Sequence, residues 1–413
     1  MPKTPPAPRE TRRDGAPVVV IGAGPSGLAV AATVRRTGVP VVVVERGEQV
    51  GVSWAQRYDH LRLHTARGGS RLPGLALPRR FGSWVARDDF VQYLERYREH
   101  HRLEVRLATR ARRIEAAAAS GTGGPYWKVQ TGDETIAARA VVVATGRCHT
   151  PHVPDWPGRD SFSGDFLHSA DYRSPAPYRG RSVLVVGAGN SGTEIAGVLA
   201  QAGARKVWIA LRTPPNILPR SSSRWHTVGR MTEFLPLSWR DRSALLMQRC
   251  AVGDLTSYGV ARPTAGPFTR NAREGNNPVL DHGFVKSVRA RMVQPVAAVT
   301  AFDGRRVVLA DGSHLVPDAV IAATGYRPHL ESLLPGPDLL DALGRPAAHG
   351  ARTIPAAPHL YFAGFTNPLS GALHQAGVEA RAIARAIAAP YPSMPGQRSG
   401  TSNSASGTLS SAP

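Results

Sequence analysis

Two glycine-rich turns carry most of the chemistry that the sequence can support. Gly22-Ala23-Gly24-Pro25-Ser26-Gly27 follows the apolar run Val18 to Ile21 and opens a helix-forming stretch, Leu28 to Arg35. In such a GxGxxG turn the first glycine makes the tight bend, the second lets backbone approach a pyrophosphate, and the third lets helix and strand pack closely. The helix N-terminus then faces the phosphates. Glu45 ends the next strand, Val41 to Val44, at the interval of roughly 20 residues where an acid accepts a ribose hydroxyl. An adenine dinucleotide is expected here. The second turn, Gly187-Ala188-Gly189-Asn190-Ser191-Gly192, precedes a helix from Thr193 and a strand from Lys206 to Leu211. That strand ends in Arg212 with no acid beside it. A guanidinium binds a 2′-phosphate in a forked geometry where a carboxylate would repel it, which favours NADPH over NADH. The other reading of Arg212 is an ordinary exposed arginine.

Two such sites on one chain suggest FAD on the first and NADPH on the second, with hydride passing from nicotinamide to flavin. The cysteines limit where the electrons go next. Cys148 and Cys250 are the only two, which excludes a CxxC or CxxxxC redox pair, a disulfide scaffold and a Cys-built zinc site. No metal is expected, and the cysteine usage suits a reducing cytoplasm.

Positioning these turns requires α/β architecture. The 413 residues are 42% hydrophobic, enough for two or three domains. The chain repeats itself: Pro17 to Gly27 matches Ser182 to Gly192, and Ala140-Val-Val-Val-Ala-Thr-Gly146 matches Ala319-Val-Ile-Ala-Ala-Thr-Gly325. Strand-like pieces precede each ATG, such as Tyr126 to Val129 and Arg306 to Leu309. Two Rossmann-like dinucleotide-binding domains follow, the NADPH domain inserted in the FAD domain. The expected division is an FAD-binding part at 17–160, an NADP-binding part with a substrate-side insert at 161–285, and a return to the FAD part at 286–389. A hinge is expected after Gly146, and a last helix near Leu373 to Ala388 closes the first domain. The Pro-, Ser- and charge-rich ends, 1–16 and 390–413, read as disordered tails. Arg12-Arg13 before an apolar stretch resembles an export signal, but the spaced glycines 22, 24 and 27 belong to a strand-turn-helix unit instead. No stretch approaches the ~18 apolar residues of a membrane span.

Lys and Arg number 51 against 30 Asp and Glu, a formal charge of +21. An anionic partner is one reading. The other is a solvated arginine-rich surface, favoured because no basic run stands beside interleaved aromatics, so no nucleic-acid partner is expected. Oligomeric state is not legible.

Between the two units, Phe162, Gly164, His168 and Tyr172 fit FxGxxxHxxxY at every fixed position. This resembles the fingerprint of the class B flavin-dependent monooxygenases, in the flavin-containing monooxygenase branch. Baeyer–Villiger members carry Trp where this chain has Tyr172. Gly51-Val52-Ser53-Trp54 and Ala323-Thr324-Gly325-Tyr326 add to the match, with Val52 replacing a family glycine. Leu61-Arg62-Leu63-His64, Tyr258-Gly259, Arg262-Pro263, Gly266-Pro267 and Pro278-Val-Leu-Asp281-His-Gly283 make it most similar to the YUCCA-type, indole-3-pyruvate-monooxygenase-like branch.

The resemblance implies that NADPH reduces FAD, that oxygen adds at the flavin C4a, and that the hydroperoxide waits beside bound NADP⁺ for a small-molecule substrate. Water must be kept out, since it releases hydrogen peroxide. Soft nitrogen and sulfur nucleophiles or a 2-oxo acid are the implied substrates. His64, where animal members place an Asn beside the flavin, is the residue expected to act catalytically. It would donate a hydrogen bond to the hydroperoxide or hold the nicotinamide ribose, unless it is a structural histidine in a Leu-His-Thr strand. Ser53, Trp54, Thr65 and Gly364 are expected against the cofactor, Trp54 as an apolar wall or as core. The helix beginning near Gly371 would stabilise negative charge on reduced flavin. His168 and Tyr172 are expected to couple nucleotide binding to domain geometry or simply to pack. Arg224, Arg230, Arg240 and Arg262 in or beside the 221–267 insert are the residues able to meet a substrate carboxylate. The alternative function is an NADPH oxidase or flavoprotein reductase without oxygen insertion.

Overall fold

The computed structural model describes residues 16–117, 126–132, 134–219, 235–334 and 336–389. The expected tails, apart from Ala16, and the arginines at 224 and 230 lie outside the described residues. Short β-branched runs become parallel strands because both their faces are buried. The first sheet takes β1 (Val18–Ile21), β2 (Val41–Val44), β3 (Val105–Arg106) and β4 (Ala140–Val143). The second takes β5 (Asp165–His168), β6 (Ser182–Val186), β7 (Lys206–Ala210), β8 (Val293–Val296) and β9 (Ala319–Ala322). The last strand, β10 (Leu360–Phe362), returns to the first. Strand orders are β10-β4-β1-β2-β3 and β8-β7-β6-β9-β5, all pairs parallel, with Val18 opposite Val41 and Ala140, and Val183 opposite Val207 and Ala319.

Helices α1 (Pro25–Arg35) and α2 (Asn190–Gln201) leave the two glycine turns. The insert supplies α3 (Leu237–Val252) and α4 (Pro267–Glu274), and α5 (Ala372–Ala388) closes the chain against α1. Leu28, Ala31 and Ala32 share a core there with Ala380, Ile383 and Ala384. Each sheet carries an antiparallel three-stranded piece on its other face. Ile114, Trp127 and Val129 cover Val19, Ile21 and Val141, while Phe302, Val307 and Leu309 cover Leu184 and Val320.

The expected boundary between residues 285 and 286 does not match the sheets. Strands β8 and β9 follow it in sequence yet hydrogen-bond into the second sheet. The physical reason is the repeat itself: β9 stands beside β6 as β4 stands beside β1. The crossing back comes after Gly325, where Tyr326–Arg327 pairs antiparallel with Thr150–Pro151. The hinge expected after Gly146 is therefore two chain segments paired with each other.

The FxGxxxHxxxY positions brace this crossing. A Cβ on Gly164 would stand 2.6 Å from the Phe162 ring and 3.0 Å from the Asp318 carbonyl oxygen. His168 is buried; the Ala170 N–H donates to its Nδ1 at 3.0 Å, so Nε2 carries the proton and donates to the Gly325 carbonyl at 3.1 Å. Tyr172 is buried among the rings of Tyr58, His60 and Tyr178.

Burial lowers the pKa of His168 despite the Gly325 bond, and it acts the same way on His101, His349 and His359. Such groups bind more protons unfolded than folded, so stability falls as pH drops through the ordinary histidine range near 6.5. Thermal unfolding at pH 7.5 and 5.5 should show a lower Tm at pH 5.5, with part of that loss absent in His168→Gln. Equal losses in parent and variant would show that His168 does not contribute.

Candidate functional site

The two turns are built alike. Gly22 and Gly187 adopt φ of 107° and 118°, in the left-handed region that only glycine enters readily. A Cβ on Gly22 would meet the Ala144 carbonyl oxygen at 2.6 Å, and one on Gly187 the Ala323 carbonyl oxygen at 2.5 Å. Both partners belong to the ATG segments. A Cβ on Gly27 or Gly192 would collide with the carbonyl oxygen of Gly22 or Gly187, at 1.9 and 2.0 Å. The middle glycines differ: a Cβ on Gly24 or Gly189 meets nothing within 4 Å. The open face of Gly24 lies in a cavity of about 1200 Å³, larger than the ~300–1,000 Å³ of ordinary small-molecule sites.

Of the residues singled out from sequence, Gly22, Gly24, Pro25, Ser26, Glu45, Ser53, Trp54, His64, Thr65, Asn190, Ser191 and Gly364 line this cavity. Ala23, Gly27, Gly187, Ala188, Gly189 and Gly192 do not. Arg212 also stands outside it, exposed beyond the end of β7. Glu45 is buried; it accepts hydrogen bonds from Ala23 N at 2.7 Å and Gly47 N at 2.9 Å. Its carboxylate thus stiffens the turn and retains lone pairs for a ribose hydroxyl. Trp54 lines the cavity and also packs edge-on against Phe90, with ring centroids 4.8 Å apart.

The N-terminus of α5 opens on the same cavity through Gly371, Ala372 and Leu373. Glu379, one to two turns along, is buried and accepts from Gly364 N at 2.8 Å and Thr366 Oγ1 at 2.9 Å. It holds the 364–366 loop against the first turn, where a Cβ on Gly364 would sit 2.3 Å from Ser26 Oγ. The fit to FAD and a pyridine nucleotide therefore rests on open second glycines, pinched first and third glycines, and helix ends aimed at one cavity.

His64 lies in a bend after Leu63 and not in the expected strand. Its Nε2 is 3.6 Å from Glu194 Oε2, and His282 Nδ1 is 3.6 Å from Oε1. Tyr58 donates a hydrogen bond to Glu194 Oε2 at 2.9 Å. Burial alone would raise the Glu194 pKa; His64, His282 and Tyr58 outweigh it and hold the carboxyl below its usual range. Burial and then the Glu194 charge push the Tyr58 hydroxyl far up. Glu194, Tyr58, His282 and Glu379 were not singled out from sequence. The available signal was an acid inside an apolar helical stretch, Thr193-Glu-Ile-Ala for one and Gly377-Val-Glu-Ala for the other.

Among the insert arginines, Arg262 is exposed and paired with Asp254 at 2.5 Å. Arg240 lines the cavity with its guanidinium 4.2 Å from the centre of the Phe268 ring. Its Nε is buried and has no hydrogen-bond partner among the described residues.

Residues 19–224 match a family model described as pyridine nucleotide-disulphide oxidoreductase. Both cysteines are free, Cys148 at the cavity and Cys250 exposed. The chain is 33% identical over 383 residues to a probable indole-3-pyruvate monooxygenase, YUCCA3, of Arabidopsis thaliana, covering 90% of this chain and 86% of that protein. It is 37% identical over 329 residues to the indole-3-pyruvate monooxygenase YUCCA8 of Oryza sativa subsp. indica, covering 76% and 77%. A flavin-containing monooxygenase structure from Stenotrophomonas maltophilia superposes with a TM-score of 0.68 at 27% identity, over 91% of this chain and 98% of that one. A structure of OTEMO with FAD and NADP shares the fold, with a TM-score of 0.66 at 18% identity over 90% and 86%.

Gly24→Asp should fold normally, since the side chain enters open space, but lose FAD because a carboxylate then faces the pyrophosphate. Gly27→Ala should instead destabilise the chain by at least about 1–3 kcal/mol, because its Cβ overlaps backbone. Flavin absorbance per chain and thermal unfolding separate the two outcomes; full flavin occupancy in Gly24→Asp would overturn the site.

Proposed function

Because the chain belongs to the class B flavin monooxygenases, in their YUCCA-like branch, we propose that it uses FAD, NADPH and dioxygen to decarboxylate an aryl 2-oxo acid oxidatively. One oxygen atom enters the product carboxylic acid, the other leaves as water, and the 2-oxo acid loses carbon dioxide. The observation that carries the choice of substrate is Arg240. Its buried Nε–H has no partner among the described residues; an unpaired group of this kind costs about 1–3 kcal/mol, and a substrate carboxylate would satisfy it. Phe268, against the Arg240 guanidinium, and Leu218, Leu237 and Met247 line the same cavity and suit an aromatic group. The YUCCA relatives' names specify indole-3-pyruvate, which has this carboxylate-plus-aryl form.

The redox chemistry supplied by bound FAD and NADPH is hydride transfer and activation of dioxygen. The chain's own residues bind, orient and exclude water. The Gly22–Gly27 turn and the α5 N-terminus take the flavin side, Glu45 the ribose. Arg212, exposed where β7 ends, supports a 2′-phosphate and hence NADPH. His64, oriented from behind by Glu194, closes the cavity and holds a proton donor inside it. His168 and Tyr172 act through position, one fastening the Gly325 crossing and the other supporting Tyr58. Two free cysteines fit a cytoplasmic enzyme; among the described residues no helix is long and apolar enough to cross a membrane.

Arg240→Ala should raise KM for an aryl 2-oxo acid by roughly 10- to 150-fold, the loss of about 1.5–3 kcal/mol from a charge-assisted contact. Its oxidation of NADPH without substrate should stay at the parent rate. An unchanged KM would move the carboxylate elsewhere. His64→Ala should retain FAD and anaerobic reduction by NADPH while diverting turnover from oxygenated product to hydrogen peroxide. Unaltered coupling would make His64 a packing residue. An NADPH oxidase would release peroxide stoichiometrically with NADPH in the parent protein itself.

A further inference from the structure

Behind the cavity wall, three side chains from separate elements converge. His64 comes from the bend after Leu63, Glu194 from the first part of α2, and His282 from the turn after strand Val279–Asp281. One nitrogen from each imidazole and one carboxylate oxygen all lie within 4.8 Å of one another. Each imidazole stands 3.6 Å from a different oxygen of the same carboxylate. That is too long for a hydrogen bond. It is close to the ligand-to-ligand spacing of about 3.3–3.4 Å that tetrahedral bonds of ~2.0–2.1 Å to nitrogen and oxygen produce. The three donors thus converge on one small region, each imidazole within ion-pair range of the shared carboxylate.

The donor set is selective. Two imidazoles and a carboxylate suit Zn²⁺, Co²⁺, Ni²⁺ or Fe²⁺, whereas Mg²⁺ and Ca²⁺ require oxygen. Glu194 is 6% exposed, so its charge lies in a medium where a cation is strongly held. The Tyr58 hydroxyl, hydrogen-bonded to Oε2 at 2.9 Å and braced by the Tyr172 ring, supplies the outer support that metal carboxylates usually have. Entry is available because His64 is 33% exposed at its side chain and lines the cavity.

We propose that His64, Glu194 and His282 form a binding site for a divalent transition metal, Zn²⁺ foremost, and that its occupation inhibits the enzyme by committing the His64 imidazole to the metal. The inhibition rests on the role given to His64 above; the binding does not. A metal there would also tie the segment between β2 and β3 of the first sheet to α2 of the second unit.

The test uses the full chain loaded with FAD and stripped of metal by EDTA. Titration with ZnCl₂ in a calorimeter should show one Zn²⁺ per chain, and Co²⁺ should give a visible spectrum beyond the flavin bands. His282→Val removes one ligand and should weaken Zn²⁺ by more than the roughly 10–100-fold that loss of an outer-shell partner costs. Zn²⁺ should suppress NADPH-dependent turnover in the parent, and His282→Val should resist it, each protein's turnover with Zn²⁺ being read as a fraction of its own metal-free rate. Absence of stoichiometric binding, binding indifferent to His282→Val, or binding that leaves turnover unchanged would overturn the proposal. Calorimetry reads the site whatever the reaction, so a chain that proved to be an oxidase and still bound Zn²⁺ would separate the two claims.

Discussion

Everything in this molecule depends on how closely each first helix approaches its own strand. At Gly27 and Gly192 a single added carbon would fall within about 2 Å of a carbonyl oxygen one turn back. With hydrogen there instead, the helix N-terminus seats directly over the strand end. The same pinch presses Gly22 and Gly187 against the ATG carbonyls at Ala144 and Ala323. Strand, turn, helix and neighbouring strand therefore have one arrangement, used twice. A cavity between two such assemblies inherits two fixed, donor-rich mouths.

What joins the assemblies is polar and aromatic. Thr150–Pro151 and Tyr326–Arg327 pair where the chain crosses out and back, and His168, the last residue of β5, fastens that crossing through Gly325. From Tyr172 a run of contacts leads through the Tyr58 ring to Glu194 and on to His64 at the cavity. The fingerprint residues between the units thus touch no open part of the site themselves. Their contribution is to hold in register a carboxylate on one unit and an imidazole on the other. On the far side, Asn271 of α4 and Asn277 just beyond it hydrogen-bond to Asn367, tying that end of the cavity to the loop that precedes α5.

The local parts of this were legible in the sequence, and the reasons are physical. Glycine spacing, β-branched runs and the doubled ATG are constraints within a few residues, so Val18–Ile21, the start of α2 near Thr193 and the closing helix could be placed. Sheet membership is not local. Residues 293–296 and 319–322 read as strands, but nothing within them says which sheet they extend, and the boundary set at 285 went wrong for that reason. The internal repeat held the answer, since an ATG strand belongs beside its own glycine turn. Glu194, Tyr58 and His282 were hidden differently. Nothing in its own segment marks any of them as a member of a cluster, and only packing of three segments more than 80 residues apart brings them together. Arg240 is one of four equivalent arginines in sequence; its buried Nε, its contact with the Phe268 ring and the lack of a partner for that Nε among the described residues distinguish it from Arg262.

A monooxygenase of this build places one oxygen atom of dioxygen in the substrate. The direct measurement is turnover of an aryl 2-oxo acid under ¹⁸O₂, with catalase present because free peroxide decarboxylates such acids unaided. Mass spectrometry of the product acid and assay of NADPH give label and stoichiometry together. The expected result is one ¹⁸O atom in the product carboxylate and one product formed per NADPH oxidised. An unlabelled 2-oxo acid recovered intact while NADPH is consumed would contradict it.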